Sequence, residues 1–426
     1  MGRETLTGGA RAVGRCDLLG VAPYSGSANG LFRGYLTPAY AAAQATVAEW
    51  MRDAGMTIAI DPAANLIGRY EGERDGPPLI IGSHLDSIRD AGRYDGPLGI
   101  MLGIECVAAL HAEGRRPPFP IEVYAFGDEE GSRFPVAMLT SRAVAGSLDL
   151  SALAVKDEEG IGVDEALISY RASIAGWLGA EAGRVVPYGD ARHGPALAYL
   201  EAHIEQGPVL EASGRAIGTV TGIAAQKRFA CRVTGLAGHA GTNSMDLRRD
   251  ALAGAAAMVL AAERIAGGGP RDLVATVGRI EAFPGSANVV PGEVAFTLEV
   301  RAARDATRDE AAHTIIAQCE ALARTRQLTF ESRILQDLPA SPCDLALMDL
   351  MDASIADTGV EPMRLVSGAG HDAMIMADLC PTAMLFIRCR AGVSHNPAEH
   401  VAPEDAELAL AAMRGFIERL GELHRG

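Results

Sequence analysis

A chain of 426 residues is long enough for two or three domains around a substantial core, and 48% hydrophobic against 22% charged residues excludes a disordered chain. The formal charge of −16, from 54 acidic and 38 basic residues, argues against general affinity for nucleic acid or an anionic membrane. Lysine occurs only at Lys156 and Lys227, neither in a setting that suits an active amine, which argues against Schiff-base chemistry.

The N-terminal 35 residues are rich in Gly and Ser and poor in periodicity, so they read as surface cover or the border of a cleft. They carry no apolar stretch of the signal-peptide kind. Thr37 and Pro38 open a helix running to Met51. Short strands and turns follow, and the loop Asp75-Gly76-Pro77-Pro78 leads into the apolar run Leu79, Ile80, Ile81, a buried strand. His84 and Asp86 come next with a period of two, which in extended chain puts them on one side. A carboxylate so placed can fix the imidazole tautomer and leave the other ring nitrogen for a metal. Asp95-Gly96 then precedes a helical pattern over 98–110. A second strand, 121–126, ends in Asp128-Glu129-Glu130-Gly131. A third, 197–204, carries Glu201 and His203. Strands separated by helices at this spacing predict an α/β catalytic domain with a mostly parallel sheet, whose ligands gather at the carboxyl ends of its strands.

From about 213 the pattern changes. Strand 226–235, helix 246–265, strands 273–281 and 293–301, helix 305–325 and strand 328–334 form a βαββαβ, ferredoxin-like unit. The expected domains are therefore 1–212 and 334–426 for the catalytic part and 213–333 for an insertion that caps the site or forms an oligomer interface. The last segment has a helix at 345–355, a strand at 384–387 and a helix at 404–423. Seven dispersed cysteines without a Cys-x-x-Cys pair read as reduced core thiols of a cytoplasmic protein. The longest apolar run, 251–262, is too short to span a bilayer.

Five residues of metal-ligand type fall at or just beyond strand ends: His84, Asp95, Glu130, His203 and His395. Three imidazoles and two carboxylates without a thiolate suit Zn, Mn, Co or Ni. Five ligands exceed what one catalytic ion with an open position uses, but match two ions roughly 3.5–4 Å apart that share a carboxylate. Asp95, short and on an Asp-Gly turn, is the natural bridge. Glu129 and Glu130 are adjacent, so one can ligate while the other faces the attacking water.

Ordered motifs now accumulate: Gly82-Ser83-His84-Leu85-Asp86, Tyr94-Asp95-Gly96, Glu129-Glu130-Gly131-Ser132-Arg133-Phe134 and His203-Ile204-Glu205-Gln206-Gly207-Pro208. Gly238-His239-Ala240-Gly241-Thr242, Ser367-Gly368-Ala369-Gly370-His371-Asp372-Ala373 and Gly392-Val393-Ser394-His395-Asn396-Pro397 complete the set. The sequence resembles the dinuclear-metal amidohydrolases that include N-carbamoyl-L-amino-acid hydrolase, allantoate amidohydrolase and β-ureidopropionase, within the aminoacylase and carboxypeptidase superfamily.

The resemblance implies one ion on His84 and His203, a second on Glu130 and His395, and Asp95 between them. It implies that Asp86 backs His84 and that Glu129 is the general base. His239 would reach the partner subunit's site from a lid that also makes the homodimer, and Gln206, Asn288, Arg301 and Gly370 would contact a small anionic ureido substrate. His371 stands beside the site with either a structural or a direct role. Asn243-Ser244 departs from the Thr-Pro common in relatives, which puts the rigidity of the lid turn in question. The implied reaction is metal-dependent hydrolysis of a terminal carbamoyl C–N bond, releasing ammonia and carbon dioxide. Allantoate is the lead substrate, suggested by the 367–372 and 388–395 stretches, and N-carbamoyl-L-amino acids are the alternative. An aminoacylase or dipeptidase and a non-catalytic metal-binding homologue are the further readings.

Overall fold

The structure, a computed structural model, describes residues 6–27, 30–179, 183–184 and 186–425. Contacts divide the chain into two compact units, one of residues 1–221, 343–365 and 370–426, the other of residues 222–342 and 366–369.

In the first unit, four parallel strands lie side by side in the spatial order Ile121–Phe126, Leu79–His84, Ala198–Ile204 and Thr382–Ile387. Every residue of these four is buried, the polar Glu122 and Glu201 included, because the sheet is covered on both faces. Antiparallel strands extend the sheet on each side: Leu66–Tyr70 beside Ile121–Phe126, and Ile217–Ile223 beside Thr382–Ile387. Because the central four point the same way, His84, His203 and the loops after Phe126 and Ile387 open on one edge of the sheet. The helix Pro97–Ala112 packs on the strands Leu79–His84 and Ala198–Ile204, so close to the second that a Cβ on Gly99 would fall 2.1 Å from the Ala202 carbonyl oxygen.

Two sequence expectations change here. The strand expected over the apolar run 79–81 continues through Gly82 and Ser83 to His84, because these pair with Ile121–Phe126 as well. Residues Gly8–Leu19, expected to be irregular, form a helix. Its apolar side (Ala12, Val13, Cys16, Leu19) is buried, and it packs on Pro97–Ala112 and Pro403–Leu423. Arg11 and Arg15 clamp the buried Glu105 at 2.7 and 2.9 Å. Residues 1–5 and 28–29 of that stretch lie outside the described residues. The polar stretch 147–196, whose sequence is helical in patches, contains the helix Val163–Leu178.

The second unit has the strand order Ile280–Phe283, Glu293–Ala302, Ala225–Thr234, Thr329–Leu338, all antiparallel, with helices Ala251–Gly267 and Asp305–Thr325. Alternate residues of Glu293–Ala302 are buried: Val294, Phe296, Leu298, Val300 and Ala302 form one core with Phe229, Val233, Met258 and Ile315. The expected strand 273–281 is two pieces, Val274–Thr276 and Ile280–Phe283, separated at Gly278. The helix expected from 246 begins at Ala251, where the Asp250 side chain accepts the Ala253 N–H at 3.0 Å. The unit runs 222–342 where the expected insertion ran 213–333, since Ile217–Ile223 still pairs with the first sheet and Thr329–Leu338 extends past 334. No helix among the described residues is long and apolar enough to cross a membrane.

Candidate metal centre

His84 ends one parallel strand and His203 sits one residue before the end of its neighbour, so the sheet itself sets the two imidazoles side by side, Nε2 to Nε2 at 3.4 Å. Their Nδ1 atoms face the carbonyl oxygens of Asp86 and Ile204 at 3.1 and 2.9 Å. In the neutral rings Nδ1 therefore carries the proton and Nε2 presents a lone pair. Both Nε2 atoms point at Asp95 Oδ1, at 3.5 Å from His84 and 3.1 Å from His203. The other oxygen, Oδ2, lies 3.4 Å from His395 Nε2, which is itself 3.6 Å from Glu130 Oε1.

Two groups of converging ligand atoms thus share one carboxylate: His84, His203 and Asp95, then Asp95, Glu130 and His395. Lone pairs crowded together in a buried site repel one another unless a cation lies among them. This donor set fits two borderline divalent ions.

The carboxylates are held by local backbone geometry. Asp86 accepts the Glu129 N–H on Oδ1 at 3.2 Å and the Glu130 N–H on Oδ2 at 3.3 Å. Its carboxylate stands 3.7 Å from His84 Nδ1, farther than its own carbonyl, so Asp86 shapes the Glu129-Glu130 loop more directly than it orients the ring. Asp128, just before that loop, and His395 both take left-handed backbone, at φ 58° and 54°. Gly96, at φ 85°, must be glycine, since a Cβ would fall 2.5 Å from the His84 ring.

Sequence reasoning missed Glu399. Its Oε1 accepts the N–H groups of Tyr94 and Asp95 at 2.8 and 3.1 Å, and the Ser394 hydroxyl lies 3.2 Å from its Oε2 and 2.6 Å from Asp95 Oδ2. One buried glutamate therefore ties the Asp95 turn to the segment bearing His395. The only signal was its place four residues after His395.

The model of peptidase family M20/M25/M40 matches residues 80–419. The chain belongs to this family. It is 38% identical to the N-carbamoyl-L-amino acid amidohydrolase of Geobacillus stearothermophilus, over 88% of this chain and 90% of that one. It is equally 38% identical to a probable allantoate deiminase of Oryza sativa subsp. japonica, over 91% and 84%. A solved hydantoinase/carbamoylase family amidase from Burkholderia ambifaria superposes with a TM-score of 0.88 at 36% identity, covering 97% of each chain.

Within this M20 chain, burial drives the electrostatics. It pushes the Glu129 carboxyl well up, against the pull of His84, and the nearby Glu130, Asp372 and Asp86 push it further. Glu130 is raised to about 8 by burial, again opposed by His84. Asp95 is also buried, but hydrogen bonds to His203 and His84 outweigh that and hold it well below the ordinary carboxylate range. Carboxylates this crowded ionise together only when cationic charge is brought among them. His371 is buried with its ring centroid 4.4 Å from that of His203; burial, then the His203 charge, hold its pKa well down.

Gln206, expected to touch substrate, donates from Nε2 to Asp95 Oδ2 at 2.9 Å. Gly370 immediately precedes His371, close to Met138. The other expected site residues belong to the second unit. His239 pairs with Val289, and the Ala240 N–H donates to the Asn288 carbonyl at 2.9 Å, so His239 and Asn288 are neighbours there. The Gly241 N–H donates to His239 Nδ1 at 3.0 Å, which leaves the proton of the neutral ring on Nε2 as an outward donor. Arg248 ties the Asn243-Ser244 turn by donating to the carbonyls of Ala240 and Asn243 at 2.6 and 3.0 Å. Arg301 is held by Glu299 through Nε at 2.7 Å.

Proposed function

We propose that the chain hydrolyses the terminal carbamoyl C–N bond of a small ureido carboxylic acid, with allantoate as lead substrate and N-carbamoyl-L-amino acids as the alternative. One observation carries the reading: the two oxygens of Asp95 face two separate ligand groups, His84 with His203 and Glu130 with His395. Two divalent ions held there supply a water acidified towards neutral pH and a polarised carbonyl oxygen. Glu129 takes the proton of the attacking water and returns it to the departing nitrogen. His239 donates from Nε2 to the developing oxyanion. Arg301 and Asn288 hold the substrate carboxylate, which lets a chain of charge −16 bind an acid. The carbamic acid formed then breaks down, so the products are ammonia, carbon dioxide and the freed amine or ureido acid.

The relatives' names support the carbamoyl class, and at equal identity they favour neither substrate. A panel of allantoate, N-carbamoyl-L-amino acids and N-acyl-L-amino acids, run after reconstitution with Mn, Zn, Co or Ni, separates the readings. The expected result is hydrolysis of a carbamoyl compound in proportion to bound metal. Faster turnover of N-carbamoyl amino acids moves the lead to the alternative, and cleavage of acyl-amino acids alone overturns the carbamoyl reading for an aminoacylase. Metal-rich protein inert on all three overturns catalysis altogether.

The same reading includes a cytoplasmic homodimer joined through the second unit, with His239 serving the neighbouring protomer's substrate. Support comes from the exposure of the His239 ring in its own chain. Sedimentation of the metal-loaded enzyme tests this: a dimer is expected, and a fully active monomer overturns it.

A further inference from the structure

On the second unit's sheet, the face opposite the apolar core carries Arg228, Glu299 and Arg301. Arg228 and Glu299 are direct cross-strand partners, and Arg301 lies two residues along, opposite Gln226. Glu299 uses one oxygen for each arginine. Oε1 accepts from Arg301 Nε and Nη2 at 2.7 and 2.6 Å. Oε2 accepts from Arg228 Nε at 2.6 Å, from Arg228 Nη2, and from Gln226 Nε2 at 2.7 Å. Burial resists ionisation of Glu299, but the two guanidiniums prevail and hold its carboxyl below the ordinary value. Arg301 Nη1 also donates to the Gly368 carbonyl. A guanidinium has five N–H donors; with these three engaged, Arg301 keeps one on each Nη.

We propose that Glu299 is the positioning residue of Arg301 and that Arg228 is the charge that makes the arrangement work. The inference rests on the reading of Arg301 as the group that holds the substrate carboxylate. An arginine on a long flexible stem loses much rotamer freedom when it binds, and a bidentate anchor along one edge removes that loss in advance. The anchor alone would be self-defeating, since Arg301 with Glu299 is neutral and gives an incoming carboxylate no net attraction. Arg228 on the second oxygen restores one net positive charge to the trio, which matches a substrate with a single carboxylate. The remaining Nη donors of Arg301 then serve that carboxylate.

The test compares a carboxylate substrate, allantoate or N-carbamoyl-L-alanine as the panel directs, with its carboxamide analogue on the metal-loaded enzyme. In Glu299→Gln one acceptor oxygen becomes a donor facing a cation, so KM for the carboxylate is expected to rise about 10-fold with kcat nearly unchanged. KM for the carboxamide is expected to stay put, and Glu299→Asp to recover part of the loss. Arg228→Gln, at a partly exposed position, is expected to raise the carboxylate KM selectively too, and it tests the charge argument even where Glu299→Gln does not fold. Equal losses on both substrates, or no change in either variant, overturn the inference while leaving the reading of Arg301 intact. A wild-type enzyme that does not distinguish carboxylate from carboxamide overturns that reading, and this inference with it.

Discussion

Exchanging Glu129 for Gln is expected to lower kcat by about 10³-fold while two metal equivalents stay bound. The residue is 8% exposed, its N–H is fixed on Asp86 Oδ1 at 3.2 Å, and its carboxylate converges with His84 and Glu130. Glutamine fills the same volume and keeps the backbone hydrogen bond, so the loop and the metal ligands stay in place. What it cannot do is accept a proton. Burial and the neighbouring carboxylates press the Glu129 carboxyl upward, the sense a proton carrier needs at neutral pH, while cationic charge beside it keeps it available as a base. Steady-state kinetics with metal analysis checks this. A variant that keeps a tenth or more of kcat would overturn Glu129 as base, and one that loses metal would make it a ligand.

Exchanging Asp95 for Asn is expected to do more: activity should fall to about 1% or less, with metal binding weakened at both positions. Each Asp95 oxygen serves a different group of ligands, and the amide can supply an oxygen to only one. Whichever way it turns, an NH₂ faces either the two Nε2 lone pairs or His395 and Glu130. The turn itself should survive, because Glu399 holds it through the backbone N–H groups of Tyr94 and Asp95. Metal content by emission spectroscopy on the variant, set against its melting temperature, separates ligand loss from unfolding. Two tightly held equivalents and wild-type turnover would remove the shared carboxylate from the mechanism.

The placement of these groups is partly legible in the sequence. His84 and His203 each lie at the end of a largely apolar strand, and an all-buried parallel strand announces itself by such a run. The alternation along Glu293–Ala302 is equally visible, because one face is core and the other is not. The helix Gly8–Leu19 escaped notice since glycines and arginines dilute its pattern; packing against Pro403–Leu423 and the Arg11–Glu105 pair support it instead. Glu399 and Glu299 were equally silent. A buried or half-buried glutamate has no sequence signature beyond its identity, and its meaning comes from which backbone N–H or guanidinium the fold brings to it.

By itself, then, the sequence determined most of the elements and the chemical types: buried strands from apolar runs, imidazoles and carboxylates at their ends, a βαββαβ pattern over the second unit. Only the tertiary structure decided that Leu79–His84 lies beside Ala198–Ile204, that the two oxygens of Asp95 divide between two groups of ligands, and that Arg301 rests on Glu299. The reason is physical. Periodicity is a local property set by the backbone repeat, whereas a metal centre depends on distances between residues over a hundred positions apart, which exist only once strand order and register are chosen.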